Sequence, residues 1–466
     1  MTDTTISTQI GNEQSSGWAL APLGLFILLF LGTGLYLHFQ GVAYAFYQLP
    51  APVAIIPAIL LAVYLDQRLR NKTRLATQLA ASKVPQNVGV EPSIHTFISG
   101  MGNNKVITMC LIYLLAGAFS TVGKASGGVD AVVGLGLDFV PAPFVIAGLF
   151  LISAIIATAM GTSMGTIGAV APIAMGVVES AGLEPGLVAG AVVGGAIFGD
   201  NLSFISDTTI AATKTQGAEL KDKFKENLKF ALPAALTCLV VYSVIGFDSP
   251  AQVSGSADVN WLLALPYFLI IVLAIMGLNV FAVLLLGLAL SALTGALVGD
   301  YQLSQIGKDV YAGFSSMQEI FLLSMLIGGL SELMKQQGGL NYLVAKIERL
   351  IQSGKDKALS SANQMAIAGL AFTTNLAIAN NTVSIIVTGE TAKQLAEDAS
   401  ISPKRSASLL DIFSCIAQGL VPYGAQALLA AASFNISPLE VVSNVWYCLV
   451  LAVVSGVFVF VKTKNI

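Results

Sequence analysis

Long uncharged runs of apolar residues set the first limit on how this chain folds. About 20 apolar residues in a helix cross the core of a bilayer, and residues 18–37 and 43–65 each reach this length. The chain of 466 residues is 55% hydrophobic and only 11% charged, whereas soluble domains carry about 25% charged residues. We therefore expect an all-α, polytopic protein embedded in a lipid bilayer.

The same composition argues against several classes of function. A formal net charge of -3 favours neither nucleic acid nor an anionic surface as a partner. The four cysteines and two histidines lack the spacing of a metal centre or a disulfide framework. No nucleophile–base pair or phosphate loop is present in the sequence, so we expect neither an enzyme nor a cofactor. The polar segment 1–16 has no basic region and is not expected to be a cleavable signal peptide.

The charged segments between the apolar runs predict the topology of the chain. Residues 66–94 and 214–229 are rich in Lys and Arg, which places both segments in the cytoplasm by the positive-inside rule. Residues 126–141 and 248–259 contain aspartate but no Lys or Arg, and we expect them to be external loops.

Two apolar segments are interrupted by small polar residues. The segment 142–180 is interrupted at Gly161-Thr162-Ser163, and a later one is interrupted at Asn380-Asn381. We expect each to be a re-entrant hairpin, although two full crossings would leave the ends of 142–180 on the same sides. With about ten full crossings besides the hairpins, the pattern predicts a protein of the bacterial inner membrane with both termini in the cytoplasm.

The second half of the chain repeats the first with inverted charge. A shift of 218 residues places Thr162-Ser163 on Asn380-Asn381 and Pro185 on Pro403. The turn after residue 126 is acidic, whereas its counterpart at 335–357 is basic. The two halves are therefore expected to insert with opposite orientations. Inverted repeats with discontinuous helices are the recurring plan of secondary transporters, with the binding site at the bilayer midplane.

This plan predicts three parts of the chain. Residues 1–17 form a cytoplasmic tail, 18–247 form the first inverted repeat and 248–466 form the second. Within the repeats we assign the segments as follows: scaffold helices 18–65 and 260–299, and transport-domain elements 106–213 and 314–428.

The polar stretch 199–212 lies in one of the most apolar parts of the chain and carries two aspartates, Asp200 and Asp207. A charge inside a bilayer is costly, so such a residue is a candidate functional site; the structural alternative is a pair that caps a broken helix. A break also frees backbone carbonyl groups that an ion can use. We predict a site for Na⁺ at the two aspartates, with protons competing, built from Asp200, Asn201, Ser203, Ser206, Asp207, Thr208, Thr209, Thr162 and Ser163.

The second half offers amides and hydroxyls where the first has aspartates, so we expect titratable chemistry only in the first half. Asp411 is predicted to lie near the cytoplasmic surface, paired with Lys404 and Arg405, and the lysines of 214–229 are predicted only to set topology. The residues predicted to form a substrate or second site are Phe204, Thr374, Asn375, Asn380, Asn381, Thr382, Gln418 and Tyr423.

The segment Gly199-Asp200-Asn201-Leu202-Ser203-Phe204-Ile205-Ser206-Asp207-Thr208-Thr209, preceded by Gly161-Thr162-Ser163, resembles the signature of the NhaC-type sodium/proton antiporters. The resemblance implies that Asp200 and Asp207 carry the cation and the proton and that the hairpin tips close the site. It also implies an elevator-like displacement of a transport domain, and by analogy a scaffold that forms a homodimer.

The chain departs from the family pattern at one position. The family commonly reads Gly-Asp-x-x-Ser-Pro-x-Ser-Asp, and Phe204 replaces the proline here. An aromatic ring at the break could line a pocket for an organic molecule, and some members resemble sodium-coupled amino-acid carriers. Two functions therefore stay open: sodium/proton exchange, and sodium-coupled transport of an amino acid or another small carboxylate.

Overall fold

The structure, a computed structural model, describes residues 16–40, 42, 48–80, 89–204, 206–248, 260–276, 278–339, 341–342, 345–346 and 360–460. The regular secondary structure in these ranges is helical, as predicted. Nine of the described helices are long and apolar enough to cross a membrane. The pair Leu303–Ser316 and Gln318–Gln336 adds a tenth if it is counted as one bent span.

The first half of the chain contains twelve α-helices in the described ranges. A π-helical turn, Leu28–Gly32, joins the first two. The helices are α1 (Ala21–Ile27), α2 (Thr33–Phe39), α3 (Ala51–Ala54), α4 (Ile56–Ala80), α5 (Glu91–Met101), α6 (Asn104–Ala125), α7 (Gly128–Phe139), α8 (Val145–Met160), α9 (Ser163–Ala181), α10 (Pro185–Leu202), α11 (Asp207–Gln216) and α12 (Leu220–Asp248).

The second half contains ten α-helices in the described ranges. Short 3₁₀ turns precede two of them, at Trp261–Ala264 and Leu303–Gln305. The helices are α13 (Leu265–Ile275), α14 (Val280–Val298), α15 (Ile306–Ser316), α16 (Gln318–Gln336), α17 (Ser360–Ile378), α18 (Asn381–Asp398), α19 (Pro403–Leu420), α20 (Ala425–Phe434), α21 (Pro438–Ser443) and α22 (Trp446–Phe460).

The chain divides into two compact units, the first formed by Met1–Cys110 and Glu319–Gly354 and the second by Leu111–Gln318 and Lys355–Ile466. In the first unit, Asp66 is buried and its carboxylate accepts hydrogen bonds from Arg70 Nε and Ser93 Oγ, both at 2.6 Å. The charged segment 66–94, predicted to be a loop, is therefore partly helical: α4 continues to Ala80 and α5 begins at Glu91.

Two helices of the second unit are almost completely surrounded by protein. In α10 all residues except Pro185 and Phe198 are buried. A spanning helix that faces lipid exposes apolar side chains, so burial on all sides places α10 among other helices. Gly195 allows the closest approach, because a Cβ atom there would overlap the Phe150 carbonyl of α8. The Gly194-Gly195 pair thus serves helix packing.

Two segments of the second unit share one order of helices and turns at a constant offset of 218 residues. Helices α10 and α11 are matched residue for residue by α19 and α20 in where they begin and end. The left-handed residues recur at the same offset: Gly161, Gly182 and Gly217 in the first segment, and Ala379, Ser400 and Asn435 in the second. This offset equals the one found in the sequence.

The structure differs from the sequence prediction at several loops. The segment after residue 126, predicted to be an external loop, is helix α7, because its apolar residues Val129, Ala131 and Val133 are buried. The lysine-rich segment before residue 230 belongs to α12. The predicted external loop at 248–259 lies outside the described residues from 249 onward, as do 43–47 of the second predicted helix.

Candidate functional site

The break between α10 and α11 lies against the N-terminus of α9. Asp200, in the last turn of α10, is 5% exposed, and its Oδ1 accepts a hydrogen bond from the Ser163 backbone N–H at 3.0 Å. The Ser163 hydroxyl also hydrogen-bonds to this carboxylate. Ser163 is the first residue of α9, where backbone N–H groups lack partners within the helix. The positive end of the helix dipole thus faces a buried carboxylate.

A series of amide side chains continues from this contact to the second half of the chain. Gln426 Nε2 donates to Ser163 Oγ at 3.0 Å, and Gln418 Nε2 donates to Gln426 Oε1 at 2.7 Å. Gln418 Nε2 also lies 3.3 Å from the carbonyl oxygen of Ala379, at the second interrupted segment. The structure therefore brings together both breaks and both predicted hairpin tips.

The two tips are capped in the same way. Thr162 Oγ1 accepts the backbone N–H of Gly165 at the start of α9, at 3.5 Å. At the start of α18, Asn380 Oδ1 accepts the backbone N–H of Val383 at 3.1 Å. Each side chain satisfies a free N–H group of the helix that follows.

Other predicted residues of the second half bind the backbone or stay unpartnered. Asn375 Nδ2 donates to the carbonyl of Ser414 at 2.7 Å, and the Tyr423 hydroxyl donates to the carbonyl of Leu376. Asn381 Oδ1 accepts the N–H of Thr382 at 3.0 Å. In the described part of the chain, three buried side-chain oxygens have no hydrogen-bond partner at this site: Asn201 Oδ1, Thr374 Oγ1 and Gln418 Oε1.

Of the two predicted ion-binding aspartates, Asp200 is buried and Asp207 is exposed. Asp207 is the first residue of α11, after the break. Phe204 is 46% exposed, and its ring stacks on that of Phe224 with centroids 4.5 Å apart. The hydroxyls of Ser206 and Thr208 hydrogen-bond to each other at 2.9 Å, and Ser203 and Thr209 are buried.

A second buried carboxylate lies near Asp200. Asp411 in α19 is 0% exposed and forms an ion pair with Lys223 Nζ of α12 at 2.7 Å; Lys223 is 1% exposed. The prediction that Asp411 lies near the surface beside Lys404 and Arg405 is therefore wrong. Arg405 instead pairs with Glu226 at 3.0 Å. Titratable groups are thus present in both halves.

The sequence did contain a signal for Lys223. Counting from Lys223, Asn227, Phe230 and Ala234 follow at intervals of four, three and four residues, and all four are buried. Such spacing defines one face of a helix. The position of Lys223 on an apolar face distinguishes it from the neighbouring lysines that are exposed.

The buried charges around the break do not balance. Lys223 supplies one positive charge for two carboxylates, Asp200 and Asp411, and it makes its ion pair with Asp411. The hydrogen bonds that the structure gives to Asp200 come from Ser163, which is neutral. One buried carboxylate is thus left without a cationic side chain in hydrogen-bond contact among the described residues.

A polytopic helical protein with a buried carboxylate at a helix break has the organisation of a secondary transporter. Comparison with known proteins agrees with that class. The family model described as the Na⁺/H⁺ antiporter family matches residues 25–247 and 256–462. The chain belongs to this family, and it is a membrane transporter rather than an enzyme.

Curated relatives confirm the resemblance to NhaC-type proteins. The Na⁺/H⁺ antiporter NhaC of Alkalihalophilus pseudofirmus is 24% identical over 355 residues, 71% of this chain and 76% of that protein. A malate-2H⁺/Na⁺-lactate antiporter of Bacillus subtilis is 26% identical over 393 residues, 78% of this chain and 83% of that protein. The arginine/ornithine antiporter ArcD of Halobacterium salinarum is 21% identical over 375 residues, covering 73% and 75%.

Proposed function

We propose that this protein exchanges sodium ions for protons across the membrane and that Asp200 binds either ion. The observation that carries the proposal is the charge imbalance at the break: Asp200 is buried, and Lys223 pairs with Asp411 instead. A buried ionised carboxylate without a counter-charge is unfavourable by several kcal/mol. A proton or a sodium ion each removes that cost. Because the two compete for one carboxylate, loading one releases the other.

Oxygen atoms near Asp200 supply further ligands for a sodium ion. Hard cations prefer carboxylate, carbonyl and hydroxyl oxygens. The Ser163 hydroxyl lies on Asp200, and the buried oxygens Asn201 Oδ1 and Gln418 Oε1 have no hydrogen-bond partner among the described residues. We assign these groups to the bound ion, and the exposed Asp207 to the path by which the ion arrives.

The offset segments support an inverted-repeat mechanism for this exchange. The hydrogen bonds from Asp200 through Ser163, Gln426 and Gln418 to the Ala379 carbonyl connect both breaks and both tips. Elements joined in this way move as one body more readily than separately. We propose that they form the moving transport domain of an elevator-type carrier.

Ion exchange in proteoliposomes tests the proposal. Purified protein is reconstituted with a pH-sensitive dye inside the vesicles, and NaCl or choline chloride is added outside. Sodium entry coupled to proton exit should raise the internal pH with NaCl and leave it unchanged with choline chloride. Asp200→Asn vesicles of equal protein content serve as the control. Wild-type vesicles that show no sodium-specific pH change over a range of external pH would refute sodium/proton exchange.

A second candidate is sodium-coupled exchange of a small carboxylate. The relatives named as malate, lactate, arginine or ornithine antiporters carry molecules that contain a carboxylate, and the half-exposed Phe204 offers an aromatic surface at the break. Labelled malate, lactate, arginine and ornithine should then accumulate under an inward sodium gradient, less so in Phe204→Ala. If none of the four accumulates, this candidate is excluded for these substrates while the dye assay still decides the first.

A further inference from the structure

The ammonium group of Lys223 is surrounded by oxygen atoms from three helices. Lys223 Nζ lies 2.7 Å from Asp411 Oδ2, 2.6 Å from Thr209 Oγ1 and 3.2 Å from the Asn201 carbonyl oxygen. These acceptors belong to α19, α11 and the end of α10. A lysine ammonium has three N–H donors, and each has one oxygen here. The group is therefore held as a coordinated cation rather than as a surface charge.

The Asn201 carbonyl in this set belongs to the helix break. It lies in the last turn of α10, where carbonyl groups have no partner within the helix. It accepts hydrogen bonds from Lys223 Nζ at 3.2 Å and from Asn227 Nδ2 at 2.7 Å. In discontinuous membrane helices, carbonyls at such breaks coordinate transported ions. Lys223 contacts a group of the kind that usually binds an ion.

Two further oxygens at the ion pair have no hydrogen-bond partner in the described chain. They are Asp411 Oδ1 and Asn227 Oδ1, and both residues are 0% exposed. Asn227 is fixed next to Asp411 by a bond of 2.7 Å from Nδ2 to Oδ2. Around the ammonium there are thus a carboxylate, an amide oxygen, a hydroxyl and a backbone carbonyl. This donor set is the one that hard cations prefer.

We propose that these groups form a second cation site and that the ammonium of Lys223 occupies it in place of a second sodium ion. Asp411 is then neutralised by a cation that cannot leave, and Asp200 is the carboxylate left for an exchangeable ion. Removing the ammonium while leaving space behind it opens the Asp411 site to sodium from solution. This inference concerns Asp411 and does not require that the ion at Asp200 is exchanged for a proton.

Thermal unfolding of the purified full-length protein in detergent micelles tests the inference. Unfolding temperatures are compared in NaCl and in choline chloride at equal ionic strength, in an Asp200→Asn background that lacks the proposed first site. Adding Lys223→Ala should produce a sodium-specific rise in unfolding temperature of about 2 °C or more, because a ligand that binds only the folded state stabilises it. The Asp200→Asn parent should show no such rise.

Two matched variants identify the cause of any rise. Lys223→Met in the same background fills most of the lysine volume without a charge, so its sodium response should be smaller than that of Lys223→Ala. Adding Asp411→Asn to Lys223→Ala removes the carboxylate and should abolish the response.

Equal unfolding temperatures in sodium and choline for the Lys223→Ala variant would overturn the inference. So would a Lys223→Ala protein that folds in neither salt, whether or not Asp411→Asn restores folding, because sodium would then have failed to replace the ammonium. Folding in NaCl but not in choline chloride would support it. If the Asp200→Asn parent keeps a full sodium response, the proposed role of Asp200 fails, and the increment caused by Lys223→Ala still decides this inference.

Discussion

The two helix breaks of the second unit have the same backbone plan and different chemistry. Asp200 at the first break corresponds, 218 residues later, to Gln418 at the second. The Asp200 carboxylate is bound by the Ser163 backbone N–H and hydroxyl. The Gln418 amide instead donates to Gln426 and to the Ala379 carbonyl. One break needs a cation from outside, whereas the other is connected by protein alone.

This difference suggests a division of labour between the halves. An amide carries no net charge, so burying it costs little once its donors are satisfied. A carboxylate in the same position has to be neutralised each time it is buried. The first break is therefore suited to bind and release an ion, and the second to hold the partner half in register with it.

The largest effect is expected from Asp200→Gln, which makes the first break resemble the second. Sodium/proton exchange should fall by about 100-fold or more, the equivalent of about 3 kcal/mol, while the protein stays folded because the uncompensated charge is gone. The dye assay in proteoliposomes and the unfolding temperature measure the two effects. Asp207→Asn is the matched control at the exposed aspartate and should keep most of the exchange rate; equal losses in both variants would contradict the assignment.

The converse substitution, Gln418→Asp, places a carboxylate at the second break without a counter-charge. We expect a loss of stability of about 3 kcal/mol in choline chloride, because an unpaired buried charge is strongly destabilising, and partial recovery in NaCl. Gln418→Asn shortens the amide without adding charge and separates the effect of charge from that of lost contacts. If Gln418→Asp is as stable as Gln418→Asn in choline, the two breaks do not differ in the way described.

A smaller effect is expected from Ser163→Ala, which removes the hydroxyl between Asp200 and Gln426 and keeps the backbone N–H. A lost hydrogen bond to a charged group is worth about 1.5–3 kcal/mol, so the sodium concentration for half-maximal exchange should rise by about tenfold. Thr166→Ala, on the same helix and hydrogen-bonded to the Thr162 carbonyl of its own turn, serves as the control. Unchanged sodium dependence in Ser163→Ala would remove Ser163 from the site.

Much of this arrangement could be predicted from the sequence. The two prolines that begin α10 and α19, the interruptions at residues 161 and 380 and the polar stretch after Phe198 are local signals, and each marks a helix end in the structure. Helix ends are set by nearby residues, through caps and residues that favour left-handed backbone. Such features can be found without knowledge of the packing.

The pairing of charged side chains could not be predicted in the same way. Asp411 was expected to pair with Lys404 and Arg405, close in sequence, whereas its partner is Lys223 on a distant helix. Likewise, Asp200 and Asp207 are only seven residues apart, but the break between them ends the helical periodicity. Their spacing therefore does not tell which of them faces the interior. Both errors come from tertiary packing.

The smallest expected effect concerns the turns that begin the two tips. Gly161 and Ala379 are equivalent positions, and both have left-handed backbone, with φ values of 68° and 53°. This conformation costs about 1–2 kcal/mol for a residue with a side chain, and glycine loses about 0.5–1 kcal/mol of that advantage through its greater freedom in the unfolded chain. Ala379→Gly should therefore stabilise the protein by about 0.5–1 kcal/mol, seen as a small rise in unfolding temperature.

The reverse change, Gly161→Ala, should destabilise the protein by a similar amount, since it puts a side chain on the same backbone conformation. Ala377→Gly is the control for Ala379→Gly, because Ala377 lies inside α17, where glycine costs about 1 kcal/mol relative to alanine. Opposite signs for Ala379→Gly and Ala377→Gly would show that the second tip keeps the turn of the first despite its different residue. If Ala379→Gly lowers the unfolding temperature as Ala377→Gly does, the two tips do not share this turn, and the comparison between the halves is limited to the breaks.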